Sequence, residues 1–174
     1  MSNDSFVHLH VHTEYSMLDG AARLKDLFSQ ASALEMPAIA MSDHGNLFGA
    51  YDFWKTGSAT DVKPIIGLEG YFAPQGRRVR APFDFGTPAV DDASLDSAGR
   101  GKYNYTHMTV WAENNVGLHN LFRLSSLASL EGYYYQPRFD AELLGQALGQ
   151  AARDMESYCE KVILDEFQIP SNNA

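Results

Sequence analysis

Histidines and carboxylates recur at intervals along the first two thirds of the chain. The segment 6–12 reads FVHLHVH, in which one residue separates His10 from His12. The alternation from Leu9 onward predicts a β-strand, on which the two imidazoles share a face and lie close enough to bind a common metal ion. An isolated pair of this kind is more often two surface histidines on an edge strand, so the interpretation depends on further residues.

Four further residues lie near the ends of predicted elements, and they are Asp19, His44, Glu69 and His107. In parallel α/β folds the active site forms at the C-terminal ends of the strands. The first three fit that rule, whereas His107 begins its predicted strand. A set of imidazoles and carboxylates suits zinc, manganese or iron rather than calcium. Such ligands could form a site with two or more ions that hydrolyses phosphodiesters.

The elements that would position these residues alternate between strand and helix. Strands are predicted at 6–12, 37–41, 63–72 and 106–112, and helices at 22–36, around 51–54 and at 118–128. This order is typical of parallel strands joined by helices, the α/β class. Because a complete (β/α) barrel needs about 200 residues or more, we predict a partial barrel. The segment 73–102 lacks periodicity and is rich in Gly, Pro, Asp and Ser, which predicts a long surface loop.

The composition argues against several classes of protein. The chain has 174 residues, 45% of them apolar, a net charge of −9, and Cys159 as its single cysteine. These values indicate a globular domain without internal disulfides. The negative net charge also argues against this chain binding a nucleic-acid backbone by itself, because such binding requires clustered Lys and Arg. No apolar run approaches the ~20 residues of a membrane helix, and the N-terminus does not read as a signal peptide. We therefore expect a cytoplasmic protein without membrane contact.

Four segments, in order, resemble the PHP (polymerase and histidinol phosphatase) domain at the start of the bacterial DNA polymerase III alpha subunit. They read FVHLHVHTEYSMLDGA, MSDHGNLFGAYDF, KPIIGLEGYFAP and YNYTHMTVWAENNVGLHNLFRLSSLASLEG. The resemblance covers about residues 5–144 and implies a distorted (β/α) barrel of the PHP type, with the loop at 73–102 as the family's variable insertion. It implies zinc or manganese as the bound ions, and as their ligands His10, His12, Asp19, His44, Glu69 and His107. It assigns catalysis to the first four of these ligands.

The resemblance also implies a function. The chain would be the N-terminal domain of a replicative DNA polymerase, with DNA and other replication subunits as partners. In many family members this domain is a metal-dependent 3′→5′ exonuclease, and in others it has lost ligands and is a structural module. A small-molecule phosphoesterase of the histidinol-phosphatase type is the alternative, because the same ligands would serve it. The sequences SMLDGA and DHGNLFGA resemble the polymerase branch.

The chain departs from the family pattern after about Leu144. The family's Thr-Gly-Cys-Pro-type loop and Asn-Asp-x-His-type motif are absent, and Cys159 lies in a helical pattern that does not replace the cysteine ligand. We therefore predict a PHP-like metal-binding domain at 1–144 and a divergent helical tail at 145–174. Missing ligands would weaken or abolish the exonuclease activity of this chain alone.

Several other residues have open interpretations. His8 and His119 are predicted to lie outside the ligand set. Asp43 either orients the imidazole of His44 or forms a turn. The three tyrosines at 133–135 either stack on single-stranded bases or pack in the core or an interface, with packing favoured.

Overall fold

The computed structural model describes residues 6–84 and 102–148, in which four helices pack on an open mixed sheet. The helices are α1 (Leu24–Ala33), α2 (Ala50–Gly57), α3 (Asn115–Glu131) and α4 (Ala141–Leu148). The strands are β1 (Ala38–His44), β2 (Lys63–Phe72), β3 (Phe83–Asp84), β4 (Lys102–Tyr103), β5 (Thr106–Trp111), β6 (Tyr133–Tyr134) and β7 (Gln136–Phe139). A 3-10 turn at Glu14–Asp19 precedes α1. The predicted α/β class is confirmed, and the open sheet agrees with a partial barrel.

The central strand is β2. It pairs in parallel with β1, from Ala38↔Lys63 to His44↔Glu69, and in parallel with β7 at its last two residues. On its other edge β2 pairs antiparallel with β5, from Gly67↔Trp111 to Phe72↔Thr106. The prediction of parallel strands is therefore wrong for β5. No crossover helix lies between β2 and β5 among the described residues, so the chain returns in the opposite direction.

The predicted strand at 6–12 is an extended segment beside β1. It forms one isolated parallel bridge, between His8 and Ile39. The backbone N–H groups of Ala40 and Ser42 donate to the carbonyls of His8 and Val11 at 2.9 and 2.8 Å. The N–H of Val11 donates instead to the hydroxyl of Ser42 at 2.9 Å. Because a side chain takes the place of a backbone acceptor there, the segment does not form the regular strand that was predicted.

The structure also bears on the expectations for three later segments. Within the predicted loop at 73–102, β3 and β4 form a two-stranded antiparallel sheet, and residues 85–101 lie outside the described part of the chain. A hairpin of β6 and β7 occupies a stretch for which no strand was predicted. The helix α4 runs across the proposed boundary at 144, and the rest of the predicted tail, 149–174, lies outside the described residues. The domain division remains a prediction.

Two apolar clusters hold the helices on the sheet. The first joins α1 and α2 to β1 and β2, and α1 contributes the residues of one face at helical spacing, Leu24, Phe28 and Ala31. The second joins α3 and α4 to β7 through Leu124, Ala128, Phe139, Leu143 and Ala147. Within the described residues, no helix is both long and apolar enough to cross a bilayer.

Candidate metal centre

The sheet register brings three predicted ligands to one end of the sheet. His44 is the last residue of β1 and pairs with Glu69 of β2, while His107 pairs with Tyr71, two residues further along β2. Because β5 is antiparallel, its first residues lie at the same end as the last residues of β1 and β2. This reversal explains how a histidine at the start of a strand reaches the C-terminal rim.

The N-terminal segment and the 3-10 turn deliver the other three predicted ligands. The Nε2 atoms of His10 and His12 are 3.2 Å apart, so the two imidazoles share a face. Asp19 ends the 3-10 turn, and its Oδ2 lies 2.7 Å from Nδ1 of His12. The same oxygen contacts Nε2 of His44. Asp19 therefore links the N-terminal segment to the end of β1.

The carboxylate of Glu69 lies at the centre of the cluster. Its Oε2 is 2.6 Å from Nε2 of His12 and also contacts Nε2 of His10. Its Oε1 is 2.5 Å from Nδ1 of His107 and 3.8 Å from Nδ1 of His44. Burial by itself would raise the pKa of Glu69, but the hydrogen bonds from three imidazoles outweigh burial and lower the pKa to about 2. Glu69 is therefore ionised at neutral pH.

Three overlapping groups in this cluster have the composition of a metal site. In each group, one ligand atom from each residue lies within 4.8 Å of the others. The groups are His10–His12–Glu69, His12–Asp19–His44 and His44–Glu69–His107. His12, His44 and Glu69 each belong to two groups, so neighbouring ions would share ligands. Four imidazoles with two carboxylates suit zinc or manganese, and the carboxylates would offset the charge of a divalent cation.

One buried atom supports this fit. The Nδ1 atom of His44 is buried and has no hydrogen-bond partner among the described residues. A buried polar atom without a partner costs about 1–3 kcal/mol, and native structures contain few of them. A cation held by the group His44–Glu69–His107 would remove this cost. The chemistry of the cluster therefore fits a divalent metal ion.

Residues adjacent to the ligands in the sequence fix the loop that carries them. The N–H and the hydroxyl of Thr13 donate to the two carboxylate oxygens of Asp43 at 2.6 and 2.8 Å. Both residues are 0% exposed. Burial raises the pKa of Asp43, and the hydrogen bonds from Thr13 oppose that shift. The N–H of His44 donates to Oγ of Ser16 at 3.0 Å. These bonds attach the loop after His12 to the end of β1.

The structure supports neither of the two roles considered for Asp43. The residue lies within β1 and not in a turn, and its carboxylate accepts hydrogen bonds from Thr13 and not from the imidazole of His44. Sequence reasoning did not identify Thr13, although it directly follows one predicted ligand, just as Asp43 directly precedes another. Adjacency to a ligand was the pattern that could have drawn attention to this pair.

The aromatic ring of Tyr71 packs against two predicted ligands. Its centroid lies 5.9 Å from the ring of His44, nearly parallel to it, and 5.2 Å from the ring of His107, perpendicular to it. Burial raises the pKa of Tyr71, so the phenol is protonated at neutral pH. Sequence reasoning missed this residue as well, because an aromatic residue in a buried strand is more often part of the core.

The structure places the two remaining predicted non-ligands outside the three groups. The ring of His8 lies 4.7 Å from that of Phe6, and the ring of His119, on α3, lies 6.5 Å from that of Phe122. Neither histidine belongs to a candidate group. The six predicted ligands are therefore brought together, and the histidines predicted to have other roles are not.

Comparison with known proteins gives matches over most of the chain. The PHP domain family matches residues 8–168. The DNA polymerase III subunit alpha of Saccharopolyspora erythraea is 51% identical over 149 residues, which are 84% of this chain and 12% of the relative. The same subunit of Mycobacterium leprae is 50% identical over 149 residues, with the same coverage. That of Aquifex aeolicus is 47% identical over 144 residues, 83% of this chain and 11% of the relative.

The chain spans about 12% of the length of the first two of these relatives. Among solved structures, an amidohydrolase from Chromobacterium violaceum with bound sulfate and no metal has a TM-score of 0.39 to this chain and is 16% identical to it. That match covers 72% of this chain and 38% of the amidohydrolase.

Proposed function

This chain belongs to the PHP domain family, and on that premise we propose that it is a metal-dependent phosphoesterase domain of a bacterial replicative DNA polymerase. Its reaction would be hydrolysis of the terminal phosphodiester at the 3′ end of a DNA strand, a 3′→5′ exonuclease activity. The observation that carries the proposal is the convergence of six imidazoles and carboxylates into three overlapping groups. The similarity to DNA polymerase III alpha subunits over 84% of the chain supports the polymerase context.

The proposed ligands are His10, His12, Asp19, His44, Glu69 and His107, and the proposed ion is zinc, with manganese as the second choice. Bound zinc or manganese would supply the Lewis-acid chemistry that phosphodiester hydrolysis requires. Glu69 is ionised at neutral pH and belongs to two groups, so it would hold two ion positions together. Asp19 lies between His12 and His44 and would hold a third.

The polymerase context also suggests partners. DNA would reach the centre from the rest of a longer polymerase polypeptide, and other replication subunits would contact the same assembly. A cytoplasmic location follows from a role in bacterial DNA replication. DNA and the other subunits would therefore be partners of a whole polymerase, and this chain resembles one part of such a protein.

The proposal is tested by measuring metal content and 3′-end trimming on the same purified chain. We expect bound zinc or manganese, shortening of a 5′-labelled single strand that is slow because the chain lacks some of the family's ligands, and loss of this shortening with a chelator. Changing His10 and His12 to alanine should lower metal affinity and trimming by at least about 10- to 100-fold. His119→Ala is the matched control, since it removes a histidine outside the cluster and should change neither.

Other results would contradict the proposal. A chain that takes up neither zinc nor manganese does not have the proposed centre. Turnover of phosphomonoesters but not of DNA ends would instead support the histidinol-phosphatase type of activity. A chain that binds metal and hydrolyses neither class of substrate would be a structural module.

A further inference from the structure

We propose that the β6–β7 hairpin and the adjacent Arg80 form a surface that holds single-stranded DNA beside the metal centre. We call this surface the tyrosine rim and define it as Tyr133, Tyr134, Tyr135 and Arg80. The inference rests on the proposed function, because it assigns residues that would position the strand whose 3′ end is hydrolysed.

The tyrosine rim lies at the same end of the sheet as the predicted ligands. The strand β7 pairs with β2 at Tyr71↔Arg138, two residues beyond Glu69. A Cβ atom added at Gly45, the residue after His44, would lie 2.9 Å from Cγ of Pro137. Pro137 in turn pairs with Tyr133 across the hairpin. Neighbouring strands lie about 5 Å apart, so Tyr133 lies one strand spacing beyond Pro137, the hairpin residue next to Gly45.

The rim exposes aromatic rings at a strained turn. Tyr133 is 64% exposed and Tyr135 is 79% exposed. Tyr135 lies between the paired residues Tyr134 and Gln136 and has a φ of 61°. Glycine or asparagine adopts this conformation at a lower cost than tyrosine does. The Tyr135 ring contacts the Tyr134 ring edge-on, with centroids 4.6 Å apart, but most of it faces solvent, so burial contributes little to the choice of residue. An exposed ring kept at a strained position points to a binding role.

The rim also gathers positive charge. The guanidinium groups of Arg80 and Arg138 each lie 5.2 Å from the ring centroid of Tyr134. Arg138 is buried and donates to the backbone carbonyls of Arg77 and Val79 at 2.7 Å, so it supports the turn from inside. Burial, and then the charge of Arg80, lowers the pKa of Arg138. The positive charges of Arg80 and Arg138 therefore lie close together, both beside the ring of Tyr134.

The neighbouring arginine does not share this role. Arg77 is buried and pairs with the carboxylates of Asp140, Glu131 and Glu142 at 2.8–3.0 Å. Its charge is therefore offset within the protein. Arg80 is exposed and lies 5.2 Å from the ring centroid of Tyr134, so a phosphate group can approach it from solvent.

Exposed aromatic rings with an adjacent cation match the chemistry of a single strand. Bases stack on aromatic faces when they are unpaired, and the stacking tolerates any sequence. Arginine contacts the phosphates between them. In a duplex the base faces are covered, so the tyrosine rim should prefer a single strand. Because the whole chain has a net charge of −9, the binding should be local and sensitive to salt.

The experiment measures binding without turnover. A fluorescent oligothymidylate of about 12 nucleotides, within the usual size of single-strand sites, carries phosphorothioate linkages at its 3′ end so that cleavage does not shorten it. Anisotropy gives its affinity for the full chain at several salt concentrations. The melting temperature of each variant is measured on the same samples.

Three variants separate the contributions. Tyr135→Asn should weaken binding about 5- to 150-fold, the range for loss of one stacked base, with a melting temperature equal to or above that of the unchanged chain because the turn is relieved. Tyr135→Phe keeps the ring and should bind as the unchanged chain does. Arg80→Gln should lower the slope of log affinity against log salt by about 0.7, as expected for one phosphate contact.

Two results would overturn the inference. One is equal affinity of the unchanged chain and the Tyr135→Asn variant, which would assign the rim to packing against another polypeptide. The other is equal binding of a duplex of the same length. A rim that binds DNA in a chain without metal or trimming would support this inference and contradict the proposed function, so the two failures are distinguishable.

Discussion

The buried hydrogen bonds between Thr13 and Asp43 should control both the stability of the domain and its affinity for metal. In Thr13→Val the side chain keeps its shape but loses the hydroxyl that donates to Asp43 at 2.8 Å. It also loses the acceptor that caps the 3-10 turn at the N–H of Tyr15, at 3.1 Å. The first loss costs about 1.5–3 kcal/mol because the partner is a carboxylate. The second costs about 0.5–2 kcal/mol.

Together these losses should lower the free energy of unfolding by about 2–5 kcal/mol, a shift in melting temperature of roughly 4–20 °C for a chain of this size. The loop that these bonds hold carries His12 and Asp19. We therefore expect the dissociation constant for zinc to rise about 10- to 100-fold, as for other residues that orient metal ligands. Urea denaturation and calorimetric titration of zinc measure the two effects on one preparation.

Thr13→Ser is the matched control. It keeps the hydroxyl and removes one methyl group, which should cost about 1 kcal/mol and leave zinc affinity close to that of the unchanged chain. If the valine variant is as stable as the serine variant and binds zinc equally well, the hydroxyl does not hold the ligand loop, and our account of the Thr13–Asp43 pair is wrong.

Three further predictions, two of them with a matched control, test the rest of the fold. Arg77→Met leaves the buried carboxylate of Asp140 without its cation and should cost about 3–5 kcal/mol in urea denaturation, whereas Arg78→Met, at a residue 74% exposed on its side chain, should cost less than about 1 kcal/mol. Burial alone would raise the pKa of Asp140, but its hydrogen bonds and the charge of Arg77 lower it. The ionised carboxylate of Asp140 therefore stabilises the fold fully above a pH of about 4, the pKa of an unfolded Asp, and this stabilisation is lost as the pH falls through the lower pKa of the folded state. The unfolding free energies of the unchanged chain and of Asp140→Asn should therefore converge in acid. Gly45→Ala would place a methyl group 2.8 Å from the ring of Tyr71 and 2.9 Å from that of Pro137, at a φ of 65°, and should lower the melting temperature. Gly145→Ala is its control: no described atom lies within 4 Å of the added methyl group, so the unfolding free energy should rise by about 0.5–1 kcal/mol.

The sequence was sufficient to predict the helices and strands whose apolar residues form a regular pattern. The apolar spacing of α1 and the continuous apolar run of β1 predicted those elements to within a few residues. The six residues that converge in the structure were also selected from the sequence, because each lies on or beside a recognisable element and matches a family motif, and their role as ligands remains a prediction. Local patterns of this kind depend on neighbouring residues alone.

The features that the sequence did not predict depend on residues far apart in the chain. The antiparallel direction of β5 is set by its pairing with β2, and nothing in its own alternation specifies that direction. The partnership of Thr13 with Asp43 joins positions 30 residues apart. The hairpin of β6 and β7 is short, and its turn at Tyr135 lacks the glycine or asparagine that normally marks such a turn.

The N-terminal segment lies at the edge of the sheet and is held to β1 by few backbone hydrogen bonds. Two N–H groups of β1 donate to the carbonyls of His8 and Val11, while the imidazoles of the segment reach a carboxylate 57 and 59 residues away. A cation bound there would act as a cross-link that keeps the segment from fraying. Ion depletion would let the segment detach and uncover the hydrogen-bonding edge of β1. Uncovered edges of this kind pair with other chains, so ions bound at this centre would also protect the protein from aggregation.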